Sequence, residues 1–531
     1  MCPSEVACRE ETACNGNMTI PRDVLLGNGQ LTPDDVIAVA RHGAHVRLTE
    51  STRAAVRSGR NRVEELAATE DPTYGVSTGF GALATRHIEP DLRAQLQRSL
   101  VRSHAAGTGT EVDRETVRAL MFLRLRTLAS GNTGSRPETV DALAGMLNAG
   151  ITPVVYEHGS LGCSGDLAPL AHIALALTGE GEARDAHGAR VDPASALREA
   201  GLGPVELGAK EGLALINGTD GMLGMLLLAC RDLTRLLRTA DITAAMSVEA
   251  LLGTDRVFAA DLHELRPHPG QAAAAANMRR VLAGSGIMAS HRGPECSRVQ
   301  DAYSLRCAPQ VAGAARDTLN HAETVAAREL ASVIDNPVIL DDGSVESNGN
   351  FHGAPLGYVL DFLAVAVADV AAVAERRTDR MLDVARSHGL PAFLADDPGV
   401  DSGHMIAQYT QAGVVTDLKR LAVPASADSI PSSALQEDHV SMGWSAARKL
   451  RRALDGLNSV LAVELITAAR ALDLRSPLEP APATAAVRDA VRERVAGPGP
   501  DRYLAPEISA GADLVADGSV VSAAESVTKL D

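Results

Sequence analysis

The sequence Gly-Ser-Leu-Gly-Cys-Ser-Gly-Asp-Leu-Ala-Pro-Leu-Ala-His, at residues 159–172, predicts a sharp turn that leads into a helix. Gly162 and Gly165 permit backbone angles that other residues rarely adopt. Asp166 is a favourable N-cap, and Pro169 stands in the first helical turn, where its missing N–H costs nothing. The two small residues between the glycines therefore lie at the apex of the turn.

The tripeptide Cys163-Ser164-Gly165 has the residue types that backbone cyclisation needs. In a strained turn the Gly165 amide nitrogen can approach the carbonyl carbon of Cys163. Loss of water from that ring and from the Ser164 side chain leaves an electron-poor alkene, and a helix N-terminus beside it would favour developing negative charge. In isolation the same tripeptide is an ordinary capped turn, so the rest of the chain decides between the two interpretations.

The composition indicates an acidic protein with a large core. The chain has 531 residues, of which 45% are apolar and only 2% aromatic, so Ala, Leu, Val and Met must fill the interior. The net charge of −17 argues against a nucleic-acid-binding or anionic-membrane surface. The longest apolar run found in the middle of the chain, Met222 to Cys230, is well short of the ~20 residues of a membrane span. We therefore predict no membrane segment.

The cysteines indicate a reducing compartment, the cytoplasm, because their number is odd and they form no CxxC or zinc-like spacing. They are Cys2, Cys8, Cys14, Cys163, Cys230, Cys296 and Cys307. The polar N-terminal segment has no apolar core of a secretory signal. We expect residues 1–20 to form a flexible, dispensable tail.

Helix-period apolar segments dominate the chain and strand signals are sparse, which predicts an all-α fold. We expect a long-helix bundle core with an N-terminal, loop-rich active-site region. The predicted regions are a tail at 1–20, an N-terminal region with the reactive turn at 21–220, the bundle at 221–475, and a C-terminal helical region with a polar tail at 476–531.

Six polar segments, most of them rich in glycine, interrupt the helices. They are residues 74–81, 103–107, 162–166, 217–219, 300–306 with 350–352, and 436–439. Besides the electrophile they offer the phenol of Tyr74 and the guanidinium of Arg306, which can hold a carboxylate through two hydrogen bonds. His104 and Glu437 suit a basic heterocycle. Together these groups fit an α-amino acid whose side chain is polar.

Several of these residues also have a purely structural interpretation. Leu92, Leu96 and Leu100 recur every four residues and place His104 on the same inward face, where it is either a core histidine or a ligand. Tyr74 is either a lid residue or a catalytic group on a glycine-rich loop.

Similar alternatives apply to the remaining segments. Asn217 needs partners, which a helix cap or a ligand would supply. Residues 300–306 form either a surface loop or a carboxylate site, and Phe351 either fills the core or lines a site. The Gln-Glu-Asp-His sequence at 436–439 does not predict a metal site, because consecutive residues cannot all face one ion.

Residues from about 30 to about 510 resemble the ammonia-lyases and aminomutases that build a methylidene-imidazolone (MIO) electrophile from Ala-Ser-Gly, and among them the histidine ammonia-lyases most. The resemblance implies elimination of ammonia from L-histidine to give trans-urocanate, the first step of histidine degradation. It implies an MIO group formed from Cys163-Ser164-Gly165 and no external cofactor. It also implies a homotetramer with active sites shared between subunits.

The same resemblance implies a role for each site residue. The implied catalytic residues are Tyr74, His104, Tyr303 and Glu437, and the implied substrate-binding residues are Asn217, Gln300, Arg306, Phe351 and Gln436. Tyr74 would remove the β-proton. A phenol is largely protonated at neutral pH, so Tyr74 would need nearby positive potential from helix N-termini or Arg306.

Glu437 is the residue that separates the substrates within this family. A carboxylate pairs with an imidazole, but buried against a phenyl ring it would lose at least about 1–3 kcal/mol. Relatives specific for tyrosine or phenylalanine carry other pairs at positions 103–104 and 436–437. The alternative is thus a tyrosine or phenylalanine ammonia-lyase or 2,3-aminomutase, and an alternative from another class is an inactive helical scaffold or amino-acid sensor.

Two residues depart from the family pattern. Cys163 stands where Ala is commonest, and Ala302 stands where many histidine ammonia-lyases have Pro. The Cys163 side chain is not consumed by cyclisation, so ring closure should survive. Ala302 would slightly loosen the carboxylate-binding loop.

We predict that the peptide containing Cys163, Ser164 and Gly165 is lighter than its sequence mass by two waters. Peptide mass spectrometry of the purified protein checks this. Ser164→Ala should keep the full peptide mass and remove turnover without unfolding the bundle. An unmodified peptide in the well-folded, unsubstituted protein would contradict the enzyme hypothesis.

Overall fold

The long apolar stretches fold into long helices, as their period predicts. The computed structural model describes residues 23–531 apart from 28, 70–74, 76, 80, 84, 294, 295, 297 and 298. Within these residues the chain forms twenty α-helices and nine short strands, so the predicted all-α, long-helix bundle is confirmed. The division into four regions stays a prediction.

The helices are listed here in chain order. They are α1 (Pro33–His42), α2 (Glu50–Ala67), α3 (Arg93–His104), α4 (Arg114–Leu128), α5 (Pro137–Asn148), α6 (Leu167–Leu177), α7 (Pro193–Glu199), α8 (Glu211–Ile216), α9 (Asp220–Ala250), α10 (Ala260–Glu264), α11 (Pro269–Val281), α12 (Gly286–Ala289), α13 (Tyr303–Arg306), α14 (Ala308–Leu330), α15 (Ala354–Leu382), α16 (Met405–Leu421), α17 (Gly443–Asp473), α18 (Pro482–Arg492), α19 (Ala505–Ala516) and α20 (Ser519–Glu525).

The strands form small sheets at the margins of the bundle. They are β1 (Asp23–Leu26), β2 (His45–Leu48), β3 (Thr108–Glu111), β4 (Thr152–Pro153), β5 (Tyr156–His158), β6 (Ala183–Arg184), β7 (Arg190–Val191), β8 (Val338–Ile339) and β9 (Val345–Glu346). β1 and β2 are parallel, with Val24 opposite Val46. β3 pairs with β5, and β4, β6 and β7 form an antiparallel sheet. β8 and β9 form an antiparallel hairpin around Asp342 and Gly343, whose residue types favour a tight turn.

Three helices of 29 to 31 residues, α9, α15 and α17, pack against one another at the centre of the bundle. One buried carboxylate joins them. Glu464 of α17 accepts hydrogen bonds from Thr243 Oγ1 at 2.7 Å and Ser247 Oγ at 2.8 Å, both on α9. Arg377 Nη2 of α15 donates to the same carboxylate at 2.9 Å. Since each group is buried and paired, these contacts fix how the three helices align.

α9 and α15 are long and apolar enough, by length and composition alone, to cross a membrane. The apolar window within Glu211–Ala250 is 100% buried inside the protein, and that within Ala354–Leu382 is 61% buried. Core helices of a bundle show the same properties. The absence of a membrane segment therefore stays a prediction.

The predicted inward face of α3 is correct only in part. Leu92 precedes the helix in a short 3₁₀ turn and is 47% exposed, whereas Leu96 is partly buried and Leu100 is buried together with Arg93 and Gln97. Two polar members of this face have backbone partners: the Arg93 Nε–H donates to the Ile88 carbonyl at 3.2 Å, and the Gln97 amide oxygen accepts from a backbone N–H of α8. His104, at the end of α3, is half-buried.

Candidate active site

The reactive turn before α6 is held by backbone and hydroxyl donors from two other helices. The Leu161 carbonyl accepts from the Met442 N–H at 2.9 Å, and the Gly162 carbonyl accepts from the Gly353 N–H at 3.0 Å. Ser441 Oγ donates to the Gly162 carbonyl at 2.7 Å. Met442 and Gly353 directly precede α17 and α15, so both helices begin at this turn.

Asp166 ties the turn to a third helix. It stands at the N-cap position of α6, but its side chain does not cap that helix. Its Oδ2 accepts from the N–H groups of Gly221 at 2.9 Å and Met222 at 3.0 Å in the first turn of α9, and its Oδ1 accepts from Ser160 Oγ at 2.9 Å. The prediction that Asp166 caps its own helix is therefore wrong, because the N–H groups of α9 lie within reach of its carboxylate.

Burial raises the pKa of Asp166 to about 7, and the hydrogen bonds from Met222, Ser160 and Gly221 oppose that rise. Among these donors, Ser160 Oγ also lies 3.5 Å from the Gly165 carbonyl, farther than from the Asp166 carboxylate. The Asp166 side chain therefore combines a large desolvation cost with three favourable hydrogen bonds.

The N-terminal ends of α9, α15 and α17 thus converge on the reactive turn. A helix N-terminus carries unpaired N–H groups and a partial positive charge. Three such ends around one turn create a positive potential there. This environment would stabilise negative charge that develops at the turn.

Ser164, at the apex, is anchored through Asn217. Ser164 Oγ donates to Asn217 Oδ1 at 3.2 Å, and Asn217 Nδ2 donates to the Asn336 carbonyl at 3.1 Å. The buried guanidinium of Arg124 donates to the Asn217 carbonyl at 2.7 Å. Sequence reasoning missed Arg124, although a charged residue within the apolar stretch 122–125 was a usable signal.

Gly165 occupies a position that excludes every other residue. Its φ is +73°, and a Cβ at this position would lie 2.2 Å from the Gly218 carbonyl oxygen. The same carbonyl accepts from the Asp166 N–H at 2.8 Å. The turn can therefore pack against the start of α9 only because residue 165 has no side chain, and the same feature leaves its nitrogen sterically open for cyclisation.

Cys163 faces the residues predicted to hold the substrate ring. Its Sγ donates to Glu437 Oε2 at 3.1 Å, and Ser432 Oγ donates to the same oxygen at 3.0 Å. Sequence reasoning did not identify Ser432, which no motif marks. The structure therefore joins Glu437 directly to the reactive turn.

His104 lies near Glu437 and is prepared to accept a hydrogen bond. Its Nδ1 is 2.9 Å from the Leu100 carbonyl, which can only accept, so Nδ1 carries a proton. Burial lowers the pKa of His104, although the Leu100 carbonyl and the charge of Glu437 oppose the shift. The imidazole is consequently neutral, and its Nε2 is an acceptor.

Two other predicted binding residues lie on segments that meet the turn. Phe351 is half-buried, two residues before Gly353, which contacts the turn. Gln436 is exposed beside Glu437, and in the described part of the chain its side chain forms no hydrogen bond. Tyr74 lies outside the described residues.

Gln300, Tyr303 and Arg306 do not join this site within one chain. Their segment lies beyond the C-terminal ends of α9 and α15, where Asp301 Oδ2 accepts from the Thr254 N–H at 2.7 Å. Because α9 begins at the reactive turn and has 31 residues, its length at ~1.5 Å per residue places the two ends roughly 45 Å apart.

At that far end the segment is open to solvent. Tyr303 is 71% exposed, and the Arg306 guanidinium lies 4.6 Å from its ring centroid. Arg306 Nε is buried and has no hydrogen-bond partner among the described residues.

Comparison with known proteins identifies the family. The model of the aromatic amino acid lyase family matches residues 31–493. The chain belongs to this family. Among its relatives is histidine ammonia-lyase from Streptomyces coelicolor, which is 66% identical over 95% of this chain and 99% of its own length.

Two solved structures of aromatic amino acid lyase relatives share the fold. Tyrosine aminomutase from Streptomyces globisporus superposes with a TM-score of 0.90 and 39% identity, over 96% of this chain and 99% of its own. Histidine ammonia-lyase from Trypanosoma cruzi superposes with a TM-score of 0.87 and 35% identity, over 96% of both chains. The predicted family membership is confirmed.

We predict that Asp166→Ala lowers the free energy of unfolding by about 1–3 kcal/mol, because three donors lose their buried acceptor. It should also reduce the fraction of protein that loses two waters at residues 163–165. Chemical denaturation and peptide mass spectrometry measure the two effects.

Asp192→Ala is the matched control, because Asp192 is an exposed N-cap of α7 that accepts from the Ser195 N–H. It should cost about 0.5–2 kcal/mol and leave dehydration complete. Complete dehydration in Asp166→Ala would show that the turn does not depend on this carboxylate.

Proposed function

We propose that this protein is a histidine ammonia-lyase that eliminates ammonia from L-histidine to give trans-urocanate. The observation that carries the proposal is the Glu437 carboxylate beside the reactive turn, 3.1 Å from Cys163 Sγ. A partly buried carboxylate at this place favours an imidazole over a phenyl or phenol ring. The 66% identity to the Streptomyces coelicolor enzyme supports the same substrate.

The residues of the turn fit an MIO group. Gly165 has no Cβ that would block its nitrogen, and Ser164 hydrogen-bonds to Asn217 at the site of dehydration. The group would form when the Gly165 nitrogen bonds to the Cys163 carbonyl carbon and two waters leave. It supplies an electron-poor alkene that makes the substrate amine a better leaving group. No external cofactor is part of the proposal.

Two acceptors would hold the substrate ring. His104 offers Nε2, and Glu437 offers Oε1, to which nothing in the described part of the chain hydrogen-bonds. A protonated imidazole has an N–H at each edge and can donate to both. Phe351 and Gln436 would line the same pocket, and Asn217 would support the amine end.

The carboxylate of the substrate would be bound by Gln300, Tyr303 and Arg306 of a different subunit. Three observations support this assignment: these residues lie far from the turn within one chain, Tyr303 is exposed, and Arg306 Nε has no hydrogen-bond partner among the described residues. A guanidinium binds a carboxylate through two hydrogen bonds. Tyr74 would remove the β-proton.

An exposed apolar stripe supports assembly into the proposed homotetramer. Tyr358, Phe362 and Val365 follow a helical spacing on α15 and are 50–51% exposed. Ile406 and Tyr409 on the neighbouring α16 are exposed as well. An apolar surface of this kind usually contacts another protein surface.

A cytoplasmic location is supported by the four free thiols among the described residues.

We predict that the purified protein converts L-histidine to trans-urocanate and gives no product with tyrosine or phenylalanine. Chromatography with mass detection identifies every product. Glu437→Gln should lower kcat/KM for histidine by roughly 10- to 100-fold, because it removes the charge that pairs with the ring. Asp438→Asn, an equal change of charge at the neighbouring exposed residue, should have little effect.

Formation of a β-amino acid or of a cinnamate would favour the aminomutase or the tyrosine or phenylalanine lyase instead. No product from any of the three amino acids would favour the inactive scaffold or sensor.

We also predict that subunits with different defects complement one another. Ser164→Ala and Arg306→Ala should each be inactive, but co-expressed chains should recover about a quarter of the sites if the two residues come from different subunits of a symmetric oligomer. Histidine turnover per tetramer measures the recovery.

The control pair is Ser164→Ala with Glu437→Ala, whose positions lie together in one chain. Each mixed site then retains one defect, so this pair should show no recovery. Equal recovery of turnover with the two pairs would contradict active sites that are shared between subunits.

A further inference from the structure

The Cys163 thiol does more than fill space, because it has a defined hydrogen-bond partner. Sγ lies 3.1 Å from Glu437 Oε2, although the two residues are 274 positions apart in the sequence. Ser432 Oγ, five residues before Glu437, donates to the same oxygen at 3.0 Å. Two donors therefore meet at one oxygen of the carboxylate.

The thiol remains a donor at neutral pH. Burial raises the pKa of Cys163 to about 12, and the hydrogen bond to Glu437 and its negative charge act in the same direction. Only 7% of the residue is exposed. A protonated, buried thiol beside a carboxylate donates its hydrogen and is a poor nucleophile.

Cyclisation does not remove this donor. Ring closure uses the carbonyl carbon of Cys163 and leaves its Cβ and Sγ chemically unchanged. The segment that carries Glu437 is fixed independently: residues 432 and 437 form a backbone bridge, and residues 441 and 442 hydrogen-bond to the turn. The contact thus connects two anchored segments.

We propose that Cys163 is a positioning residue for substrate recognition: its thiol and the Ser432 hydroxyl hold Glu437 Oε2, which leaves Oε1 to accept from the substrate ring. The inference rests on the proposed histidine substrate. Cys163, which forms part of the electrophile, thus has a second role. It sets the orientation of the Glu437 carboxylate, which selects the substrate ring. An alanine at position 163 has no donor for this role.

Binding of trans-urocanate to the full-length protein tests the proposal without turnover. In the Ser164→Ala background no electrophile forms, and calorimetry measures the affinity directly. Adding Cys163→Ala should weaken binding roughly 3- to 10-fold, since a weak donor to a charged acceptor is lost. Adding Cys163→Ser should keep the affinity within about twofold, because the hydroxyl still donates.

The serine variant separates hydrogen bonding from packing. If Cys163 only filled space, Ser and Ala, which are both smaller, would weaken binding alike. Ser432→Ala provides a second, independent variant and should also weaken binding roughly 3- to 10-fold. Cys230→Ala removes a buried thiol in the middle of α9, remote from the turn, and should leave the affinity unchanged.

In the active enzyme, Cys163→Ala should still lose two waters at the turn and keep its kcat, while KM for histidine rises by a similar factor. Equal affinity of the Ala and Ser variants would overturn the proposal, as would a Cys163→Ala protein that binds as tightly as its parent. If the Ser164→Ala parent binds no urocanate, the proposed substrate fails, and this inference fails with it.

Discussion

The hydrogen bonds from the first N–H groups of α9 to the Asp166 carboxylate are the contacts on which the site depends. They hold the reactive turn at the start of α9, most of whose residues are buried. With α9 in place, the donors before α15 and α17 reach the carbonyls of Leu161 and Gly162. One carboxylate therefore brings the turn to the point where three helix N-termini meet, and their partial charges supply the potential that anionic chemistry requires.

The same arrangement separates two groups of predicted site residues within one chain. α9 and α15 both start at the turn, and the Glu464 network in their shared interior keeps them aligned with α17. Residues that follow their C-terminal ends, such as Tyr303 and Arg306, are held a full helix length away. Long parallel helices are rigid, so no loop movement brings Arg306 to Ser164. The proposed assembly of subunits would bring the two groups of residues together.

Local chemistry could be read from the sequence, whereas contacts between distant segments could not. The turn, the long helices and the 341–343 hairpin follow from nearby residues, and the family resemblance implied the roles of Glu437 and His104. The inward face of α3 was correct only in part, because Arg93 and Gln97 find backbone partners that periodicity does not show. The partner of Asp166 and the contact between Cys163 and Glu437 depend on tertiary packing, and no spacing encodes them.

The fold leaves the choice of substrate to a few side chains. A tyrosine aminomutase and a histidine ammonia-lyase superpose on this chain almost equally well, with TM-scores of 0.90 and 0.87. The bundle and its helix N-termini provide the environment for amine elimination whichever ring is bound. Discrimination between substrate rings must then arise from the side chains that contact the ring. A carboxylate can discriminate between rings only if its orientation is fixed. In the proposed site, its attachment to the reactive turn through Cys163 would couple the position of the substrate ring to that of the electrophile.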